Sequence, residues 1–410
     1  MDLITLQSDE RDKLAEMLET ASPNLQKRIR LVLYYDQGLS TRLAARQAGF
    51  SNRQARFWKH EFLQRRLEIF QKQAKLPRSP QKKDSVTWDY SKILSKPGIL
   101  PEDLMSDAGK KILSFFFQEM MLHEAGTILG EDTEELHDMR VATRRLRAAF
   151  NLFGIFFNPK AIAPFEQALK NTGKSLGEVR DLDVSIEKLD LYCQNLSKDQ
   201  LIGLAPLRDQ WVSSQGRART KLISNLNSQN YLDFKENFTV FLKTPSIGLL
   251  ASDKRIPLQT TVRYQAPTLI YTRLAGVMAF EAVLESATYA QLHALRIEFK
   301  KLRYTLEFFK EILGEESAGI INHIKDIQDH LGDLNDSHVA CQTITHFLKK
   351  WDKRQNTYLL IDRLNSEPVV NYLAYLYSKR YQLMISFPEK WQQFSHPDIR
   401  QNLAKAVASL

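Results

Sequence analysis

Two stretches of the chain, 156 residues apart, are near-copies of each other. Residues 136–153 read LHDMRVATRRLRAAFNLF, and residues 292–309 read LHALRIEFKKLRYTLEFF. Leu136, His137, Arg140, Leu146, Arg147 and Phe153 recur as Leu292, His293, Arg296, Leu302, Arg303 and Phe309, while Arg144 and Arg145 meet Lys300 and Lys301. A second block follows at an offset of 155: LGEVRDLDV at 176–184 against LGDLNDSHV at 331–339. Two matched blocks at nearly constant offset imply two homologous halves, so any fold must be built twice from one plan.

The plan is helical. With roughly 100° per residue and His137 at zero, Arg140, Arg144 and Arg147 fall at about 300°, 340° and 280°. Met139, Leu146, Phe150 and Phe153 cluster on the far side, at about 160–220°. The second copy repeats this, with His293, Arg296, Lys300 and Arg303 on one stripe and Leu295, Leu302, Leu306 and Phe309 on the other. Each helix is expected to dock by its apolar face and to present a cationic one. Composition agrees: 16 Gly and 14 Pro in 410 residues are too few for a turn-dense β protein, and 43% hydrophobic residues exclude global disorder.

Like charges at these spacings repel, and a charged run is most often a solvated face. Repetition argues for a ligand, because the cationic positions are kept in both halves. Neighbours read as surface differ, as with Thr143 against Phe299 and Ala142 against Glu298. The ligand is expected to be an anion, and arginine forks match phosphate oxygens bidentately where lysine offers a point charge. A histidine at the end of the stripe is either a structural hydrogen-bonder or an added donor that gains a proton when an anion arrives. Lys170 and Lys325, each six residues before a Leu-Gly, are further anion donors, and Arg219 and Arg380 match more weakly. Gly177 and Gly332 are expected to let helices approach, and Asp181 and Asp336 to orient an arginine or cap a helix. No metal is expected: cations crowd His137, and no His-x-x-x-His pair occurs in the repeat.

These motifs resemble the CHAD domain, the conserved-histidine α-helical domain. The resemblance covers about three quarters of the chain. It implies an all-α fold of two pseudo-symmetric four-helix bundles with basic helix faces lining a central groove. It also implies non-catalytic binding of inorganic polyphosphate without a cofactor. By position the binding residues would be His137, Arg140, Arg144, Arg147, Lys170, His293, Arg296, Lys300, Arg303 and Lys325. Arg145, Lys301, Arg180, Arg219 and Arg380 are secondary candidates. The second copy departs from the pattern, with Asn335 in place of Arg180 and His338 in place of Asp183. No Glu-x-Glu-x-Lys motif of triphosphate-processing domains occurs, and no nucleophile–base pair points to an enzyme.

The N-terminal region is separate. Leu25, Ile29, Val32 and Leu33 lie at helical spacing before Gly38, and LAARQA ends at Gly49. Ala55, Trp58 and Phe62 then mark one buried face of a further helix. This small three- or four-helix domain resembles a homeodomain-like helix-turn-helix. The resemblance would place Asn52, Arg53 and Arg56 on DNA, making a DNA-binding regulator the second functional reading. The expected domains are 1–70, a linker 71–103, a first half 104–245, a connector 246–261 and a second half 262–410. Cys193 and Cys341 make no disulfide framework, and the N-terminus lacks a basic-then-apolar leader. A cytoplasmic protein without a membrane partner is expected, with association to polyphosphate granules and the oligomeric state left open. The formal charge of +9 is modest. Its arrangement in two stripes is what gives it meaning.

Overall fold

The computed structural model describes residues 4–21, 23–50, 94–245, 247–249, 261–359, 361 and 363–410, together with 54, 55, 58, 59, 62, 63 and 66–70. The chain forms two compact units, Met1–Ser85 and Val86–Leu410.

In the first unit, α1 (Ser8–Thr20) opens on a reciprocal cap between Gln7 and Glu10. Helix α2 (Pro23–Asp36) ends where Gly38 takes a positive φ of 79°, and α3 (Thr41–Ala48) ends at Gly49 with φ 74°. Leu14, Ile29, Leu31, Val32, Ala44, Ala45, Ala55 and Phe62 form its core. Leu31 is buried where the spacing pointed to Leu33, which lies at the core's edge. Trp58, expected inside, is half-buried beneath the Arg28 guanidinium, 3.7 Å from its ring centroid. Asn52, Arg53 and Arg56 lie outside the described residues.

Among its described residues the second unit is built of helices joined by turns and short irregular segments, with two isolated β-bridges, Leu104–Thr261 and Phe157–Leu249. Its first half runs α4 (Met105–Leu122), α5 (Glu124–Leu129), α6 (Thr133–Phe153), α7 (Pro159–Cys193), α8 (Lys198–Leu226) and α9 (Gln229–Lys243). The second half runs α10 (Val262–Met278), α11 (Tyr289–Phe309), α12 (Glu316–Gln355), α13 (Glu367–Ile385), α14 (Phe387–Ser395) and α15 (Pro397–Ala408). The repeat is visible as α6 with α11, α7 with α12 and α8 with α13. Residues 94–103 pack onto this unit: Ile99 is buried, and the Gly98 and Ile99 N–H groups donate to Glu311 at 2.9 and 3.0 Å.

One apolar core runs through both halves. Phe153 of α6 lies 6.2 and 5.9 Å from Phe308 and Phe309 of α11, and Phe116 of α4 lies 5.8 Å from Phe308. At about 1.5 Å per residue, α7 and α12 extend roughly 50–60 Å and overrun this core. Their far ends build a second cluster: Leu189, Leu204, Leu207 and Trp211 against Cys341, Ile344, Phe347 and Tyr372. The halves are therefore joined at two places. Among the described residues one stretch, Val262–Ser286, is long and apolar enough to cross a membrane. Its residues Val262, Ala266, Ile270 and Val277 belong to the common core.

The start of the connector is fixed by a buried cation. Lys110 Nζ donates to the carbonyls of Thr244, Pro245 and Ile247 at 2.6, 2.8 and 2.9 Å. Burial holds its pKa below the ordinary lysine value, and the three carbonyl dipoles satisfy all its protons. Lys110→Met would strand those acceptors. It is expected to lower unfolding free energy by about 2–3 kcal/mol in urea titration.

Candidate anion-binding site

Helices α6 and α11 are launched by matching caps. The Asp132 carboxylate accepts from the Glu134 N–H at 3.0 Å, and Thr288 exchanges hydrogen bonds with Gln291. Their buried arcs are those expected, with Met139, Leu146, Phe150 and Phe153 on one and Leu295, Leu302, Leu306 and Phe309 on the other. Ala142, Thr143 and Phe299, expected on the surface, are buried as well. Their angles, at about 140° and 240°, simply widen the apolar arc. The Thr143 hydroxyl donates to the Met139 carbonyl at 2.8 Å, which lets a polar residue sit there. The difference between Thr143 and Phe299 is thus one of core packing, while Glu298, opposite Ala142, is only half-buried. Placement of the stripes has to carry the case for a ligand.

The two stripes converge. The Arg144 guanidinium of α6 stands 5.9 Å from the ring centroid of Tyr304 on α11, and Arg303 approaches the same ring at 5.5 Å. Arg145 reaches across to Glu307 at 3.4 Å, and Arg303 Nε lies 3.1 Å from the other Glu307 oxygen. Further along, Lys188 of α7 bridges to Asp336 and Asp333 of α12 at 3.0 and 3.7 Å.

Their electrostatics are under-compensated. The Nε atoms of Arg144, Arg145 and Arg296 are buried without a hydrogen-bond partner, while that of Arg303 has the Glu307 carboxylate at 3.1 Å. Burial depresses the pKa of Arg144 and of Arg296. Lys300 is pushed down to about 7, first by burial and then by Arg296, Arg144, Arg140 and Arg303, which come from both halves. Burial, followed by Arg180, lowers the pKa of His137. Cations from both halves thus gather at this junction, with the carboxylates of Glu307 and Asp181 as their partners.

The aspartates of the repeated block temper this charge. Asp181, itself exposed, pairs with Arg140 at 3.2 Å. Arg140 lies along α7 where Gly177 leaves room: a Cβ there would sit 3.5 Å from Arg140 Nε. Gly332 has no such neighbour within 4 Å, so the close approach expected at both glycines occurs only at Gly177. The departures in the second copy form their own network. Asn335 Oδ1 lies 2.9 Å from His293 Nδ1 and accepts from the Tyr289 hydroxyl at 3.1 Å. Tyr289 stacks on His338 at 3.6 Å, and Arg380 Nη1 meets His338 Nδ1 at 3.4 Å.

The remaining candidates scatter. Arg147, Lys170 and Lys325 are exposed. Arg180 faces Glu134 at 4.0 Å, and Lys301 pairs with Glu298 on its own helix at 2.6 Å. Arg219 does not join the group. Its guanidinium donates to the Thr127 and Ile128 carbonyls at 3.3 and 3.1 Å, closing the C-terminus of α5 beside Gly130. Arg219→Ala is expected to cost about 1 kcal/mol of stability while leaving anion affinity unchanged, as thermal melting with and without polyphosphate would show. Tyr304 and Glu307, which organise the junction, carry no signal in the repeat, since Ala148 and Asn151 stand at the equivalent positions. Among the described residues no group of three His, Cys, Asp or Glu side chains is placed to hold a metal ion.

The CHAD domain family model matches residues 111–345, and a helix-turn-helix domain model matches 27–78. No curated protein sequence matches the chain. Among solved structures, the CHAD domain from the plant Ricinus communis aligns with TM-score 0.53 and 20% identity over 78% of this chain and 96% of its own. PptA from Streptomyces chartreusis aligns with TM-score 0.52 and 14% identity over 71% of this chain and all of its own. At those identities the likeness speaks for the fold.

Proposed function

The chain belongs to the CHAD family, and on that premise we propose that it binds inorganic polyphosphate without catalysis, in the basic groove between its halves. One observation carries the reading: guanidinium groups from both halves, Arg144 and Arg303, meet over a single ring, Tyr304. A linear polyanion suits such a site because it offers a phosphate every few ångströms, so that both stripes are neutralised by one molecule. The driving term is release of counterions, which makes affinity fall steeply with salt. Arg140, Arg144, Arg296 and Arg303 would take phosphate oxygens, with Lys300 and His137 gaining protons on contact. Arg147, Lys170 and Lys325 would extend the track outward, and His293 would contribute its ring edge.

The test is a salt series by calorimetry on the full chain, with long-chain polyphosphate and polyglutamate of matched charge. Polyphosphate should bind far more tightly at every salt concentration. Equal affinities would reduce the stripes to a generic polyanion surface and remove the proposal.

The helix-turn-helix match at 27–78 supports a second reading, in which the N-terminal unit contacts duplex DNA and the CHAD part senses or anchors polyphosphate. Replacing Arg53 and Arg56 by alanine is then expected to weaken duplex binding in a mobility-shift assay. Polyphosphate affinity should be untouched. Undiminished DNA binding by that variant would exclude those two side chains as the contact.

A further inference from the structure

The first half holds a hollow that the cationic stripes do not line. A cavity of about 600 Å³ opens between the first part of α7, the end of α8 and α9. Its floor is aromatic: Phe165, Tyr231, Phe234 and Phe241 line it, with the Phe165 and Phe241 ring centroids 5.2 Å apart. The Tyr231 hydroxyl is committed to Glu124 at 2.8 Å, so this residue offers the cavity its ring. The rim is amide: Asn171, Asn230 and Asn237 are exposed around it, and Asn225 stands half-buried. Among the described lining residues none is Lys, Arg or His, and one, Asp233, is acidic. The chemistry is the opposite of the groove's.

Two observations set this hollow apart from a packing defect. The Asn225 Nδ2 is buried without a hydrogen-bond partner, so the fold leaves its donors unused. The duplicate half, moreover, is filled where this one is open. Ile320 stands at the offset of Phe165 and borders a gap of only about 10 Å³. There α13 is followed by two helices, α14 and α15, where α8 is followed by α9 alone. The additional helix α14 brings Trp391 and Phe394 to 6.2 and 5.0 Å from Phe299. One plan, folded twice, closes one copy and keeps the other open.

We propose that this cavity binds an uncharged heteroaromatic ring of the nucleoside kind. Its volume lies in the range of small-molecule sites. A flat heterocycle has apolar faces and polar edges, which matches the division between phenyl floor and amide rim. A fatty chain would leave the amides unpaired, and a sugar alone would set hydroxyls against phenyl rings. Asparagine amides can both donate to and accept from the edge of a base, as they do with adenine in duplex DNA. A phosphate would find no cation among these residues and would face Asp233, so the nucleoside is favoured over the nucleotide. The inference is independent of polyphosphate binding in the groove.

The experiment titrates adenosine, guanosine, cytidine and uridine separately into the full chain by calorimetry, each beside its monophosphate. At least one nucleoside is expected to bind with a Kd on the order of 10–100 µM, and its monophosphate about tenfold more weakly. Ala168→Trp, which fills the cavity from α7, should abolish binding, and Asn225→Leu should weaken it about tenfold. Asn230→Ala with Asn237→Ala, both on the exposed rim, should weaken it similarly without touching the core. Circular dichroism reports whether each variant folds, and the rim pair decides the matter if the other two do not. Absence of binding by all four nucleosides at about 1 mM would overturn the proposal. So would a monophosphate that binds more tightly than its nucleoside, or a nucleoside displaced by saturating polyphosphate, since either puts the ligand in the basic groove. Binding unchanged in folded Ala168→Trp or in the rim pair would place the ligand elsewhere and equally end the proposal.

Discussion

Arg140→Ala combined with Arg296→Ala is expected to weaken polyphosphate binding by about two to four orders of magnitude at low salt. Each arginine contributes a charge-assisted contact of roughly 1.5–3 kcal/mol, and the two residues lie in different halves. The slope of log K against log salt should flatten by about 1.5, as two fewer phosphates are neutralised. The single variants address the asymmetry of the halves. Arg140 is partly neutralised by Asp181 at 3.2 Å, while Arg296 has a buried Nε with no acceptor. Losing Arg296 should therefore cost more than losing Arg140. If one polyphosphate molecule spans both stripes, the double variant keeps a stoichiometry of one and the losses combine. A stoichiometry of two in the parent protein, with each single variant abolishing one class of site, would mean that the halves act separately. Isothermal titration calorimetry reads affinity, slope and stoichiometry together.

How much of this was legible beforehand depends on the range of the interaction. Helical phase is local, so the committed face of α6, from Met139 to Phe153, and the cationic stripe opposite could be read from spacing alone. Duplication then doubled the signal and exposed the outlier, Lys300 for Arg144. What spacing cannot say is which element a side chain meets. Arg219 matches Arg380 in the repeat, yet one caps α5 through two carbonyls and the other reaches His338. Tyr304 and Glu307 govern the junction through contacts with Arg144 and Arg145, more than 150 positions away in the chain. The error at Thr143 and Phe299 has the same origin. A position at the flank of an apolar arc is buried or exposed according to how many helices pack around it. Here α4, α7 and α11 all pack on α6, so its buried arc is broad. The N-terminal unit was legible in its turns, where Gly38 and Gly49 adopt positive φ, and less so in its core.

Lys300 gives the second large effect, and its sign can be worked out. In the free protein its pKa is about 7, because the charged amine is both desolvated and repelled by Arg140, Arg144, Arg296 and Arg303. Among the described residues Lys300 has no carboxylate partner. A phosphate chain laid in the groove reverses the balance and returns the amine toward its ordinary value. Binding above pH 7 thus takes up a proton, so affinity should rise by up to about tenfold per unit as pH falls from 9 to 7, and level off below. His137, whose pKa burial holds below 6.5, would add a further rise only at lower pH. The stability of the free protein should move the opposite way. Between about pH 7 and the unfolded value near 10.4, the unfolded chain binds the extra proton, so this group makes folding more favourable as pH increases. Long chains should be used, since the weakly acidic end groups of short ones titrate in the same window. Lys300→Met is expected to flatten both profiles between pH 7 and 9, in calorimetry for binding and in urea unfolding for stability. A binding profile that keeps its full slope in the variant would assign the proton to another group. It would leave Lys300 as a cation like the arginines beside it.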